Sequence, residues 1–178
     1  AWGGGLENRA RLLRTVLQRV RAATPAGFVV GVRLSPENGG FMTGLDLDES
    51  LQTAAWLCDD GADFIHVSLW DAHKPTSKRP GVHALQAFRE VVPDAVPIIS
   101  AGQLWTREDA EGQLGLGADA VALGRAGICN PDWPQRVVRD GMAPARPPLT
   151  PEALRARALS ETFVDYMRRW QGFVTDGR

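Results

Sequence analysis

The stretch Gly117-Ala118-Asp119-Ala120-Val121-Ala122-Leu123-Gly124-Arg125 decides how this chain is read. It is a short apolar run that stops at a Gly-Arg pair, with the helix-start signal Asn130-Pro131-Asp132 beyond it. A strand that runs into a glycine, an arginine and a helix N-terminus suits a phosphate. Glycine lets the backbone come close, the helix end offers unpaired N–H groups, and arginine adds a fixed positive charge. A plain surface loop is the competing reading of the pair. An echo lies upstream: Gly61-Ala62-Asp63 matches Gly117-Ala118-Asp119, and each triplet stands between a predicted helix and a predicted strand.

Outward from that stretch, helices and strands alternate. Leu6, Leu12, Leu13, Val16, Leu17 and Val20 recur at three- and four-residue steps, which predicts a helix from Leu6 to Ala23, ended by Pro25 and Gly27. Phe28 to Ser35 reads as a strand closed by Pro36. Gly39, Gly40 and Gly44 predict a flexible loop, and Asp46 or Asp48 caps a helix from about Glu49 to Cys58. A second strand follows from Phe64 to Leu69, then a polar loop from Asp71 to Pro80 and a helix from about Val82 to Val92. The third strand is Val96 to Gly102, and Thr106 with Asp109 makes a capping-box start for a helix to Leu116. This alternation predicts βαβ units and a parallel sheet. The tail differs in kind. Pro144, Pro147 and Pro148 form a stiff connector, and Thr150-Pro151-Glu152 starts a helix with its cap and N1 proline in order. Beyond it, Phe163, Tyr166, Arg168, Arg169, Trp170 and Phe173 predict an amphipathic end that packs over the rest.

Composition sets outer bounds. With 178 residues, 44% hydrophobic and 23% charged, the chain has enough apolar material for one real core. A net charge of −1 provides no long-range field for nucleic acid or an acidic membrane. The longest apolar runs are of strand length, far short of a membrane span. Ala1-Trp2-Gly3-Gly4-Gly5 has no basic region leading into an apolar one, so no signal peptide is expected, and the missing Met suggests a shortened chain. Cys58 and Cys129 lack metal-ligand spacing and suit a reducing cytoplasm as small buried hydrophobes.

Period two sorts each strand into faces. Val30, Val32 and Leu34 oppose Gly31, Arg33 and Ser35; Ile65, Val67 and Leu69 oppose His66 and Ser68; Val121 and Leu123 oppose Ala120, Ala122 and Gly124. The bulky faces want helices over them. The other faces end, at the C-terminal edge, in Arg33, Ser68, Gly102 and Gly124, as a barrel interior does beneath a ligand across its top. Arg33 needs an anion or several acceptors, because an unpaired guanidinium inside a sheet is costly. A salt bridge to an acid elsewhere answers that need, and so does a ligand that carries negative charge. His66 reads as a hydrogen-bonded interior histidine, with a catalytic base as the alternative.

Four ordered motifs then carry a resemblance. Trp2-Gly3-Gly4-Gly5-Leu6-Glu7-Asn8-Arg9-Ala10-Arg11 resembles the aromatic-Gly-Gly-Ser-x-Glu-Asn-Arg-x-Arg signature of the Old Yellow Enzyme family of NADH:flavin oxidoreductases. Val30-Gly31-Val32-Arg33-Leu34-Ser35, the Ala101-Gly102 turn and Leu123-Gly124-Arg125 follow in the family's order. Two departures are Gly5 for the usual serine, a weaker N-cap, and Gln103 for a frequent second glycine.

The resemblance implies an α/β fold of TIM-barrel type with FMN over the C-terminal ends of its strands. Arg33 would contact the flavin pyrimidine edge, and Ala101, Gly102, Gly124 and Arg125 would hold the FMN phosphate. The implied activity passes hydride from NADH or NADPH through FMN to an activated alkene such as an enone. The family's substrate-gripping His-x-x-Asn or His-x-x-His pair, its proton-donating tyrosine and its first-strand flavin loop all precede the Gly-Gly signature and are not in this chain. A full barrel runs to about 250 residues and eight strands, whereas four strands are predicted here. Residues 1–143 therefore look like the C-terminal half of the barrel, about four βα units preceded by a helix, and 144–178 like a proline-rich connector and helical tail. Such a piece is expected to be inactive alone, and to pair with a missing N-terminal half-barrel or with a copy of itself. A non-catalytic, self-associating half-barrel and a flavin-free phosphate-binding lyase or isomerase are the other readings.

Overall fold

A computed structural model describes residues 2–38 and 44–176, so Gly39 and Gly40 of the predicted loop lie outside the described residues. The first elements are α1 (Leu6–Ala23), β1 (Gly31–Leu34), α2 (Leu47–Asp59), β2 (Phe64–Ser68) and α3 (Ala84–Arg89). They are followed by β3 (Ile98–Ala101), α4 (Arg107–Gly115), β4 (Ala120–Val121) and α5 (Arg125–Cys129). A π-helical segment, Pro134–Arg139, then precedes α6 (Pro151–Arg155) and α7 (Glu161–Met167). The strands form one parallel sheet in the order β1-β2-β3-β4. The predicted α/β alternation and parallel sheet are therefore both present.

Local chemistry sets the boundaries. Asp46, not Asp48, caps α2, its carboxylate accepting from the Asp48 and Glu49 N–H groups. Gly5 begins α1 with no side-chain cap, as the departure from serine predicts. Thr106 and Asp109 form their reciprocal pair at the start of α4: the Asp109 N–H donates to Thr106 Oγ1 at 3.2 Å, and the Thr106 N–H donates to the Asp109 carboxylate at 2.9 Å. Thr150 caps α6 with Pro151 at its first position. Two helical starts follow the Gly-Arg pair. The helix after the Gly-Arg pair opens at once, the Gly124 carbonyl accepting from the Gly127 and Ile128 N–H groups. Asn130 ends that helix, and the Asn130-Pro131-Asp132 signal also opens the next helical segment: the Asn130 carbonyl accepts the Trp133 N–H at 3.1 Å, and the Asp132 carbonyl accepts the Gln135 and Arg136 N–H groups. The Asn130 side-chain amide is engaged as well. Nδ2 donates to Ala126 O and Ala145 O, and Oδ1 accepts the Ala145 N–H at 2.8 Å. The tail holds the helix predicted after Thr150, α6, and a second short helix, α7, separated where Ala158 takes φ +63°.

By packing, the chain divides into two compact units, Ala1–Gly102 with Glu111–Ala122, and Gln103–Ala110 with Leu123–Arg178. In the first, Val32, Ile65, Val67 and Ile98 from one sheet face pack against Leu47, Leu51, Ala54 and Leu57 of α2 and Leu85 and Phe88 of α3. The opposite face, with Arg33, Phe64, His66, Ser68, Ile99 and Ala101, is only partly covered. That asymmetry is the face assignment read from the sequence. In the second unit, Trp105, Cys129, Trp133, Val137, Leu154, Val164, Met167 and Phe173 are buried. There the Trp133 indole donates to Trp105 O at 2.7 Å, and the Arg146 guanidinium lies 4.8 Å from the Trp105 ring centroid. Among the described residues, no helix is long and apolar enough to cross a membrane.

The Gly-Ala-Asp echo has a structural cause at the N-terminal edge of the sheet. Gly61 and Gly117 take φ +91° and +107°, conformations that suit glycine. Ala62 and Ala118 are buried. Each aspartate then reaches the preceding strand: Asp63 accepts the Val30 N–H at 2.6 Å, and Asp119 the Ile98 N–H at 2.7 Å. An arginine from the helix before that strand closes each device. Arg21 donates to Gly61 O and pairs with Asp63; Arg89 donates to Gly117 O and pairs with Asp119. The echo is thus a repeated βαβ clasp on the rim opposite the strand C-termini.

The clasps predict a pH dependence. Arg21, then the Val30 N–H, holds the Asp63 carboxyl below the usual carboxylate range; the Ile98 N–H, then Arg89, does the same for Asp119. Folded values below the unfolded one of about 3.9 mean stability that is present above that pH and lost as pH falls through the folded values. The double variant Asp63→Asn/Asp119→Asn is expected to be less stable than the parent at pH 7 and to lose less on acidification below about pH 4. Urea unfolding across a pH series reads both effects.

Candidate functional site

Arg33 stands one residue before the end of β1, opposite His66 in register. Its Nη2 donates to the Ser68 hydroxyl at 2.8 Å, at the C-terminal end of β2. Among the described residues it pairs with no carboxylate, so the salt bridge offered as the plainer explanation is not the one found. A cavity of about 300 Å³ opens beside it, lined in part by Leu34, Ser35, Asp46, Glu49 and Ser50. Arg9, the arginine of the Gly-Gly signature, lines the same cavity but is fully engaged. It donates to Gly4 O at 2.9 Å and grips Glu49 through both terminal nitrogens, at 2.7 and 2.5 Å. Those bonds draw the Glu49 carboxyl below its usual range and tie the glycine-rich turn to α2.

Among the described residues, His66 Nε2 is buried and has no hydrogen-bond partner, which the reading of a bonded interior histidine did not anticipate. Burial first, and the Arg33 charge second, push its imidazole below the ordinary range. The histidine is therefore neutral at pH 7, and Arg33 carries the positive charge of this face.

Ser68 pairs in register with Ala101, and Gly102 follows. The turn is built by close approach of two strand ends. The Leu69 N–H donates to Ala101 O at 2.7 Å, and the Ala72 N–H donates to Gly102 O at 3.2 Å. A Cβ at position 102 would lie 2.7 Å from Leu69 O, so glycine is required there by backbone packing. Gln103, which replaces the frequent second glycine, takes φ +56°, a conformation that glycine adopts more readily. Arg33, Ser68, Ala101 and Gly102 therefore share one rim of the first unit. In the second unit, Gly124 precedes α5 with open space where a Cβ would stand, and Arg125 is exposed in the first turn.

This face suits a flavin nucleotide in its donors: a guanidinium with no acid partner among the described residues, beside a hydroxyl. Sequence reasoning missed a buried polar cluster behind the rim, formed by Ser100, Gln113, His83 and the Ala72 peptide. A serine within an apolar strand, Ile98-Ile99-Ser100-Ala101, was its only sequence signal.

Comparison with known proteins shows the family. The NADH:fumarate oxidoreductase of Klebsiella pneumoniae is 31% identical over 145 residues, covering 76% of this chain and 16% of that protein. The NADH oxidase of Thermoanaerobacter brockii is 30% identical over 146 residues, 76% of this chain and 22% of its own length. Among solved structures, the Old Yellow Enzyme homologue of Zymomonas mobilis superposes with a TM-score of 0.67 at 29% identity, over 89% of this chain and 46% of that one. The chain thus spans less than half the length of each of these relatives. The family described as NADH:flavin oxidoreductase / NADH oxidase matches residues 1–142, and the chain belongs to that family.

Proposed function

We propose that this chain is the C-terminal half of an FMN-binding barrel, with residues 1–143 as about four βα units and 144–178 as connector and tail. The observation that carries the reading is Arg33: a guanidinium on the partly covered face, held to a neutral hydroxyl beside the Ala101-Gly102 turn, with no carboxylate partner among the described residues. Arg33 is assigned to the flavin pyrimidine edge, where a fixed positive charge stabilises the negative charge of the reduced ring. Ala101 and Gly102 are assigned to the phosphate; so, in the second unit, are Gly124 and Arg125, on the strength of the sequence motif. When bound, FMN supplies hydride transfer from NADH or NADPH to an activated alkene. The Klebsiella relative is named for fumarate, itself an activated alkene, which supports that substrate class.

Three features support a further half-barrel as the partner. β1 and β4 are the outer strands of the sheet, and the inner face is partly covered. On α1, Leu12, Val16 and Val20 form an exposed apolar stripe. Without that half, a second copy would cover the same surfaces. The chain alone is expected to take up FMN without alkene turnover, in a cytoplasmic setting. Titrating FMN with the chain tests the reading: saturable quenching of flavin fluorescence is the expected result, and unchanged fluorescence at high protein concentration would overturn it.

A further inference from the structure

Ala72, 1% exposed, lies in the loop after β2, and its backbone is held at both its N–H and its carbonyl. Its N–H donates to Gly102 O at 3.2 Å. Its carbonyl accepts two buried bonds, from Gln113 Nε2 at 2.9 Å and from His83 Nε2 at 3.0 Å. Both donors have their orientation fixed by a second bond. Ser100 Oγ donates to Gln113 Oε1 at 2.8 Å, which leaves the amide NH₂ facing Ala72. The Leu85 N–H donates to His83 Nδ1 at 3.2 Å, so the imidazole proton resides on Nε2 and points at the same carbonyl. Strand β3, helix α4 and the cap of α3 thereby converge on one peptide.

A buried cluster of this kind contributes little net stability, because apolar side chains of equal volume fill such a space as well. What it fixes is a direction. The Ala72 N–H and C=O lie in successive peptide planes hinged at one buried Cα, so pinning the carbonyl restrains the N–H that meets Gly102 O, and the cluster thereby restrains the Gly102 carbonyl at the rim. We infer that Gln113 and His83 are positioning residues for the Gly102 turn, acting through the Ala72 peptide and so tightening FMN binding. The second part rests on the flavin reading above.

Two variants of the full chain test this. Ser100→Ala/Gln113→Met removes both partners of one bond together and leaves no orphaned hydroxyl. His83→Asn keeps an acceptor for the α3 cap and loses the donor to Ala72. In each, amide exchange at Ala72 is expected to accelerate about tenfold relative to amides within β2, with the unfolding midpoint near the parent's in Ser100→Ala/Gln113→Met and lowered in His83→Asn, which truncates a buried ring. Titrated FMN is expected to bind about fivefold more weakly, as for the loss of part of one hydrogen bond. Unchanged relative exchange at Ala72 in both variants would overturn the inference, as would equal FMN affinity. Failure of the parent to quench FMN would overturn the flavin reading instead, while Ala72 exchange still decides the positioning role.

Discussion

Gly102→Ala is expected to lower the unfolding free energy by about 2–3 kcal/mol, the range for forcing an atom into a filled site. The added Cβ would stand 2.7 Å from Leu69 O and 2.9 Å from Leu69 Cβ, and the first of these is backbone. Leu69 cannot withdraw cheaply, because its N–H is bonded to Ala101 O at 2.7 Å. Nor can the turn move outward without stretching the bond from the Ala72 N–H to Gly102 O. Urea unfolding at neutral pH reads the loss as a lower midpoint with little change in slope. A variant as stable as the parent would show that the strand ends do not meet as described.

Arg33→Met is expected to have the opposite profile: little effect on folding and a large one on cofactor. Its removal breaks one bond to a neutral hydroxyl and no ion pair among the described residues, so the unfolding midpoint should stay near the parent's. FMN affinity should fall about 10- to 100-fold, the range for a lost charge-assisted hydrogen bond in a partly dry site. Arg33→Lys should recover part of the loss, since an ammonium keeps the charge but not the planar fork. Parallel fluorescence titrations and thermal melts separate the two axes. A large drop in stability with unchanged affinity would make Arg33 a structural residue.

The sequence showed the architecture where its signals were periodic or local. Alternating apolar runs gave the parallel sheet and its two faces, and Asp46, Thr106 with Asp109, and Thr150 announced their helices because capping is short-range chemistry. It placed Arg33 on the open face but could not say whether an acid elsewhere neutralised it, since that depends on tertiary contacts. The triplets Gly61-Ala62-Asp63 and Gly117-Ala118-Asp119 were visible as a repeat, yet their partners Arg21 and Arg89 stand 42 and 30 residues before the aspartates they pair with. Asn130-Pro131-Asp132 announced the helical segment that follows it, but not the short α5 that Asn130 also ends, because a five-residue helix has too little periodicity to read. The cluster around Ala72 was illegible for a related reason: Gln113 lies 41 residues from the carbonyl it holds.

The most direct test of the central claim is a titration of the isotope-labelled chain with FMN, followed by ¹H–¹⁵N correlation spectra. If the flavin lies over the strand C-termini, the Arg33 Nε–H and the Ser68 and Gly102 amides will shift in a saturable way, while Gly61 and Gly117 on the opposite rim hold their positions. Shifts confined to Gly61 and Gly117, or no saturable shift at Arg33 and Gly102, would contradict it.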